Sequence, residues 1–386
     1  MPASHLFMAI VGFANLSIAA GYGVLTVVAG LFWRSTKDPE ISRRLPPVTV
    51  LKPLCGMEPG LYEHLRSFCR QDYPEFQIVF GLRDQADPAF PVAARLAAEF
   101  PSLPIDIVID PRLHGSNRKV SNLINMLPYA RFDVLAMADS DAFVGPDYLA
   151  TVTAPLLRDT VGLVTCIYRG IPTPKIWSRL GAMYINEWYV PTVLLTRLFG
   201  YQGYVSGQTI CLRRDTLQAI GGLQCLANHL ADDYRLGELI RELGLQIVLS
   251  SYEIEGEHHE PRLGSLIWHE LRWMRTIRVL RPRSFRGLFL TFSFPLAMVG
   301  MAFVSAGSSG SSLAKALFAT TVIARLTLHF MHRPRSGWPL LSDLWLLPLR
   351  DLLICYIWCR SFFTSRVFWR GHEFGVDADG IMRRLS

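Results

Sequence analysis

The residues of this chain best suited to chemistry are acids spaced ahead of a basic-aromatic cluster. Asp84 and Asp87 lie in RDQADPAF, Asp139 and Asp141 in MADSDAFV, Asp232 and Asp233 in HLADDYRLG, and Arg272 with Trp273 in HELRWMRTIR. An Asp-X-Asp at the end of an apolar strand-like run suits a hard divalent cation, magnesium or manganese, that also binds a diphosphate. Side chains alternate along an extended chain, so Asp139 and Asp141 are expected on one side, within reach of one ion. A later Asp such as Asp233 can accept the proton of an attacking hydroxyl if it stands within hydrogen-bond reach. Arg272 offers a planar fork for diphosphate oxygens, and Trp273 a wall for a ring or a lipid. The set reads as a metal-dependent enzyme that uses a nucleotide-sugar.

Each of these residues also has a plainer reading. The Asp139/Asp141 pair could be a solvated turn. Asp84 and Asp87, placed where nucleotide-binding α/β domains contact a base or ribose, could be turn residues ahead of Pro88. Lys119, with Arg118 and Asn122 in HGSNRKVSN, could approach a phosphate or simply lie in a solvated basic loop. Asp232 or Asp233 could cap the helix expected over YRLGELIREL. Arg272 and Trp273 could anchor the chain at a membrane interface. His258 and His259 in EGEHHE are only a weak signal for a second metal, because neighbouring strand side chains point apart.

The elements that must position these groups alternate strand and helix. VTVLKPL, FQIVFGL, IDIVID and DVLAMADSD read as strands, with helices expected over residues 57–71, carrying Leu61, Leu65 and Phe68 on one face, and over PVAARLAAEF. VGLVTCIY and GYVSGQTICLRR supply later strands. This order predicts an α/β domain, a Rossmann-like and largely parallel sheet wrapped by crossover helices, with ligands at the carboxyl ends of the strands. Its expected limits are residues 46–281.

Half of the 386 residues are hydrophobic and the net charge is +7, carried mostly by Arg clusters beside apolar segments. That pattern suits anionic lipid headgroups. No zinc-finger, RNP-like or helix-turn-helix signature accompanies the charge, so no nucleic-acid partner is expected. The seven cysteines are scattered and contain no CxxC pair, so neither a disulfide framework nor a zinc site is indicated. The sequence sets no oligomeric state.

Leu6 to Trp33 carries no charged side chain and is long enough to span a bilayer. It lacks the basic start of a signal peptide. Arg34, Lys37, Arg43 and Arg44 follow it, which puts the N-terminus outside and the next domain in the cytoplasm. Further spans are expected at Gly287–Ala306 and Leu313–Met331, joined by a Gly/Ser-rich turn at Gly307–Ser312, with His332, Arg333 and Arg335 back on the cytoplasmic side. Leu340–Phe363 is apolar but contains Asp343, Arg350 and Asp351, so it is expected to be interfacial, re-entrant or packed inside the protein. The resulting plan is an N-terminal membrane helix (1–34), two to three C-terminal membrane helices (285–363) and a cytoplasmic tail (364–386) that includes Arg366, Arg370, Arg383 and Arg384.

Taken in order and spacing, the motifs resemble the family-21 glycosyltransferases, the ceramide glucosyltransferase group, within the wider family-2-like enzymes of GT-A fold. The resemblance runs from about Val48 to Arg278, with VTVLKPLCG and SFCRQDYPEF among its segments, and continues faintly to WRGHEF. It implies that Asp87 contacts the nucleotide, helped by Asp84 and Lys119. It further implies that Asp139 and Asp141 hold the metal, that Asp233 is the base, and that Arg272 and Trp273 form the family's (Q/R)xxRW element. His269 stands where that element has Gln or Arg. HGSNRKVSNLINMLP, ADSDAFV and WHELRWMRTIR bring the chain closest to the bacterial hopanoid-biosynthesis members. Those would move N-acetylglucosamine from its UDP donor to a bacteriohopanepolyol hydroxyl, whereas the ceramide enzymes would move glucose from UDP-glucose to a sphingoid lipid. A non-catalytic nucleotide-sugar sensor is the reading from another class. The stretch IWSRLGAMYINEWYVPTVLL would guide the lipid in from the bilayer or serve as a packing helix.

Overall fold

The computed structural model describes residues 3–35, 45–307, 311–332, 341–364, 366–369 and 372–385. Lys37, Arg43, Arg44, Arg333, Arg335, Arg370 and residues 308–310 of the expected Gly/Ser-rich turn lie outside the described residues. The chain forms two compact units. One is made of Met1–Ser35, Pro172–Gly200 and Glu260–Phe368, the other of Thr36–Ile171, Tyr201–His259 and Trp369–Ser386.

After helix α1 (Ala3–Ser35), the chain runs β1 (Val48–Pro53), α2 (Leu61–Cys69), β2 (Phe76–Leu82), α3 (Phe90–Glu99), β3 (Ile105–Ile109), α4 (Arg118–Met126) and β4 (Val134–Ala138). β2 pairs in parallel with β1 and β3, and β1 in parallel with β4. β2 is buried along its whole length. Its alternate residues feed two cores. Ile78 and Phe80 join Val50, Ala136, Leu65 and Phe68, while Val79 joins Leu51, Leu135, Leu123 and Ile240. A one-residue slip in register would exchange the two sets, so the pairing is strongly specified. Fully burying each such Leu, Ile or Phe is worth about 1.5–3 kcal/mol. Helix α2 starts later than the expected residue 57, because Gly60 sits just before it at φ +70°, a left-handed turn conformation.

Next come β5 (Ala142–Phe143), α5 (Tyr148–Thr153), β6 (Val161–Pro172), α6 (Ile176–Tyr184), a π-helical turn Ile185–Tyr189, α7 (Val190–Leu198), β7 (Thr209–Arg213), α8 (Arg214–Ala219), α9 (Asp232–Glu242) and β8 (Gln246–His258). The sheet order is β3-β2-β1-β4-β7-β6-β8-β5. β7 is antiparallel to β4 and β6, and β5 to β8. The sheet is therefore mixed: β3, β2, β1 and β4 run parallel, and β7 lies antiparallel beside β4.

The remaining elements are α10 (Leu263–Leu280), α11 (Pro282–Arg286), α12 (Ser293–Gly307), α13 (Ser312–His332), α14 (Leu347–Ser361), β9 (Arg366–Trp369), β10 (His372–Val376) and β11 (Met382–Arg384). Among the described residues, α1 and α13 are long and apolar enough to cross a membrane. A third crossing requires Pro282–Thr291 and Ser293–Gly307, bent by 65°, to act as one span. The bend falls near Phe292, inside the expected span Gly287–Ala306. Helices α1 and α12 meet through small residues: a Cβ on Gly300 would lie 2.8 Å from the Gly12 carbonyl oxygen. In the described part of segment 340–363 the charged side chains are paired inside the protein, while Leu341, Trp345, Leu352 and Phe363 are exposed. On α14, Arg350 pairs through both nitrogens with Glu270 at 2.6 and 2.7 Å, and Asp351 pairs with Arg325 at 2.9 Å. Asp343 pairs with Arg179. Arg325 and His329 of α13 share Glu187 of the π-helical turn, each at 2.7 Å.

Candidate active site

Strand β4 ends at Ala138, and the chain then turns, the Ala142 amide donating to the Asp139 carbonyl at 3.3 Å. Asp139 and Asp141 therefore sit in a turn, not on the extended chain expected from their alternation. Asp139 Oδ1 receives Lys119 Nζ at 2.6 Å. Lys119 also donates to the Gly207 carbonyl at 3.0 Å, and the Gly207 amide donates to Asp233 Oδ2 at 2.9 Å. The Asp139 amide donates to the Gln208 carbonyl at 3.3 Å. One short ladder thus joins the acid after β4, the first turn of α4, the segment before β7 and the first turn of α9. Gly207 lets the carboxylate come this close, since a Cβ there would lie 3.2 Å from Asp233 Oδ2.

The electrostatics of the ladder follow from burial and crowding. Burial and the neighbouring charge of Asp232 raise the Asp233 carboxyl to about 6, against the pull of Lys119 and the backbone amides of Tyr234 and Gly207. Burial also raises Asp232, with Lys119 opposing. Burial lowers Lys119, but Asp139 and Asp232 more than reverse this and hold its ammonium above the usual range. Neither Asp caps α9 by its side chain. The N-cap position is Ala231, and both acids lie in the first turn, where the helix N-terminus favours negative charge.

Around the Asp-Ser-Asp turn stand two residues that the sequence reading did not single out. Lys52 of β1 is fully buried, donates to the Asp139 carbonyl and lies 3.7 Å from the centre of the Phe68 ring. Burial lowers its ammonium to about 7, while Asp141, Asp139 and Glu58 work the other way. Glu58 accepts from Ser140 Oγ at 2.6 Å. Burial and the charges of Asp139 and Glu58 raise the Asp141 carboxyl to about 7. A charged Lys in an otherwise apolar strand was the available signal for Lys52; Glu58 had none. Two carboxylates on one turn are a fitting oxygen donor set for a hard divalent cation, whose charge would offset their repulsion. Asp139 and Asp141 would hold it.

Asp87 is committed to local structure. Its carboxylate accepts from the Gly56 amide at 2.9 and 3.1 Å and from the Ala89 amide at 2.9 Å. Asp84 accepts from the Ala86 amide at 2.9 Å, an Asx-type turn. Both acids thus make turn bonds of the kind that their plainer reading describes. A carboxylate has about four acceptor positions, so Asp87 keeps capacity for a further donor.

Arg272 and Trp273 lie on α10, in the other unit. There Trp273 stacks on Tyr184 of α6 with ring centres 5.4 Å apart and packs against His269 at 4.2 Å. His269 Nδ1 is bonded to Glu260 at 2.8 Å. The Arg272 carbonyl accepts from Thr276 Oγ1 at 2.8 Å.

The profile of glycosyl transferase family 21 matches residues 12–382. Ceramide glucosyltransferase 1 of Caenorhabditis elegans is 23% identical over 355 residues, which is 88% of this chain and 73% of the relative. Ceramide glucosyltransferase 3 of the same organism is 22% identical over 343 residues, 86% of this chain and 72% of the relative. A solved structure, the mannosyltransferase PcManGT from Pyrobaculum calidifontis in complex with GDP-Man and Mn2+, covers 92% of this chain and 99% of its own. Its TM-score is 0.52 at 19% identity, a likeness of fold that identifies the mixed sheet as GT-A in type. With a profile match over almost its whole length, the chain belongs to glycosyl transferase family 21.

Proposed function

We propose that the chain transfers N-acetylglucosamine from UDP-N-acetylglucosamine to the hydroxyl of a membrane lipid such as a bacteriohopanepolyol, with inversion at the anomeric carbon. The observation that carries this reading is the ladder Asp139–Lys119–Gly207–Asp233, which sets a proton acceptor of raised basicity beside the acid pair that suits a diphosphate-bound cation. Asp233 takes the proton of the lipid hydroxyl, whose oxygen attacks the anomeric carbon from the face opposite UDP. The bond from that carbon to the β-phosphate oxygen breaks, and UDP leaves with the electron pair. A divalent cation, when bound, supplies neutralising charge to the departing diphosphate. Lys119 offers a cation to the same side, and Asp87, with Asp84, serves the uridine end. Arg272 and Trp273 are assigned to the diphosphate and to the acceptor opening. The sheet unit faces the cytoplasm of a bacterial inner membrane, with α1 leading out of it.

A second reading, glucose transfer from UDP-glucose to ceramide, is favoured by the relatives that carry that name. UDP release by detergent-solubilised protein with manganese or magnesium separates the two. UDP-N-acetylglucosamine and UDP-glucose are each offered with bacteriohopanetetrol and with ceramide. One pair is expected to turn over, and Asp233→Asn to reduce kcat by about 10²–10⁴ while UDP binding is retained. Tight UDP binding with no turnover of any pair would favour a sensor.

A further inference from the structure

The mechanism leaves unused a segment of the sheet unit that is distant in sequence from every acid of the candidate site: the turn and strand that end the described chain. Asp377 to Gly380 make a self-contained turn. Asp377 Oδ1 accepts from the amides of Asp379 at 3.1 Å and Ile381 at 3.0 Å, and Gly380 adopts φ +78°. β10 pairs antiparallel with β11 through Val376 and Met382, both buried. The turn is therefore ordered by its own bonds.

It is also fastened to the loop that leads into α9. The Leu230 amide donates to the Gly380 carbonyl at 2.9 Å, the Met382 amide donates to the Asn228 carbonyl at 2.8 Å, and His229 bridges Ile381 between them. Ser116 Oγ donates to the Met382 carbonyl at 2.9 Å, which brings in the loop before α4. Those two loops are tied directly as well. The Ser116 amide donates to Asn228 Oδ1 at 2.9 Å, and the Asn117 amide to the Ala227 carbonyl at 2.8 Å. Asn117 Nδ2 donates to the His229 carbonyl at 2.9 Å and to Asp232 Oδ1 at 3.3 Å. Gly115 permits this approach, since a Cβ there would lie 2.4 Å from the Ala227 oxygen. Three segments far apart in sequence are thus laced together within three residues of Lys119 on one side and of Asp233 on the other.

We propose that Asp377–Met382 is a positioning strap, which holds the loop carrying Asp232 and Asp233 in register with the loop carrying Lys119. The strap touches no reacting atom and acts through the placement of Asp233. It rests on the reading of Asp233 as base. A misplacement of about 1 Å in such a group can cost about a hundredfold in rate.

The test is steady-state kinetics on the full membrane protein and on a chain stopped before Asp377, with UDP binding measured on both. The stopped chain is expected to bind UDP normally and to lose between about tenfold and a hundredfold in kcat, with the donor KM within about twofold. An unchanged kcat, or a loss confined to donor KM, overturns the strap. If the stopped chain does not bind UDP, Ser116→Ala decides, because it removes only the hydroxyl bond to Met382. A lowered kcat restored by Ser116→Thr supports the strap, and a full kcat overturns it. Asp233→Asn is measured alongside. Turnover that survives that change overturns the base reading, whereas its loss with full kcat in the strap variants overturns the strap alone.

Discussion

A carboxylate works as a base near neutral pH when its proton affinity approaches that of the medium and it is still mostly ionised. Asp233, raised to about 6 by burial and by the charge of Asp232, meets both conditions. Only the ionised form accepts a proton, so kcat is expected to fall as pH drops through about 6. In Asp232→Asn, with that charge removed, the fall should move to lower pH. A kcat–pH profile on both proteins checks this, and a limb that stays in place would show that Asp232 does not set it. The acids themselves were legible in the sequence, since Asp139, Asp141, Asp232 and Asp233 follow apolar runs at strand or helix boundaries. What single residues do to one another was not. Lys52 reaches Asp139 through a parallel strand pairing, and Glu58 reaches Ser140 across more than eighty residues of chain. Asp84 and Asp87 went the other way: their spacing allowed two readings, and the turn amides that they accept from became visible only with the fold.

Helices α10 and α14 show how an element with buried charges is accommodated. Arg350 and Glu270 are both almost fully buried and pair bidentately. Removing one partner strands the other, so Arg350→Met or Glu270→Gln should cost about 3–5 kcal/mol, whereas replacing both by apolar residues of similar volume should come near to neutral. Thermal unfolding of the two single variants and the double variant in detergent measures the coupling, and additive losses would rule out a mutual pair. The charges in 340–363 find partners inside the protein, Arg350 with Glu270, Asp351 with Arg325 and Asp343 with Arg179, while Trp345, Leu352 and Tyr356 of the same stretch are exposed. Periodicity and composition also placed β1 to β4 and α3 to within a few residues. They did not show that β7 runs antiparallel, because a strand's sequence does not state the direction of its neighbour. The π-helical turn at Ile185–Tyr189 was likewise hidden, as were the contacts that its Glu187 makes with Arg325 and His329 from far along the chain.

At the scale of the molecule, α1 and α13 carry the membrane reading. The protein is expected to stay with the membrane through washes at high salt or alkaline pH and to be released by detergent; release by salt alone would argue for a peripheral attachment. The sequence reading divided the chain into consecutive segments, whereas each of the two compact units is assembled from three stretches of chain. That interleaving has a consequence for biosynthesis. A ribosome makes Thr36–Ile171 and Tyr201–His259 early, whereas Trp369–Ser386 emerges only after α10 to α14 have been translated. The sheet unit must therefore wait, with its loop into α9 unfastened, while the later helices are made. The fastening of that loop is thus a late event in the life of each molecule, possible only once α10 to α14 have been made.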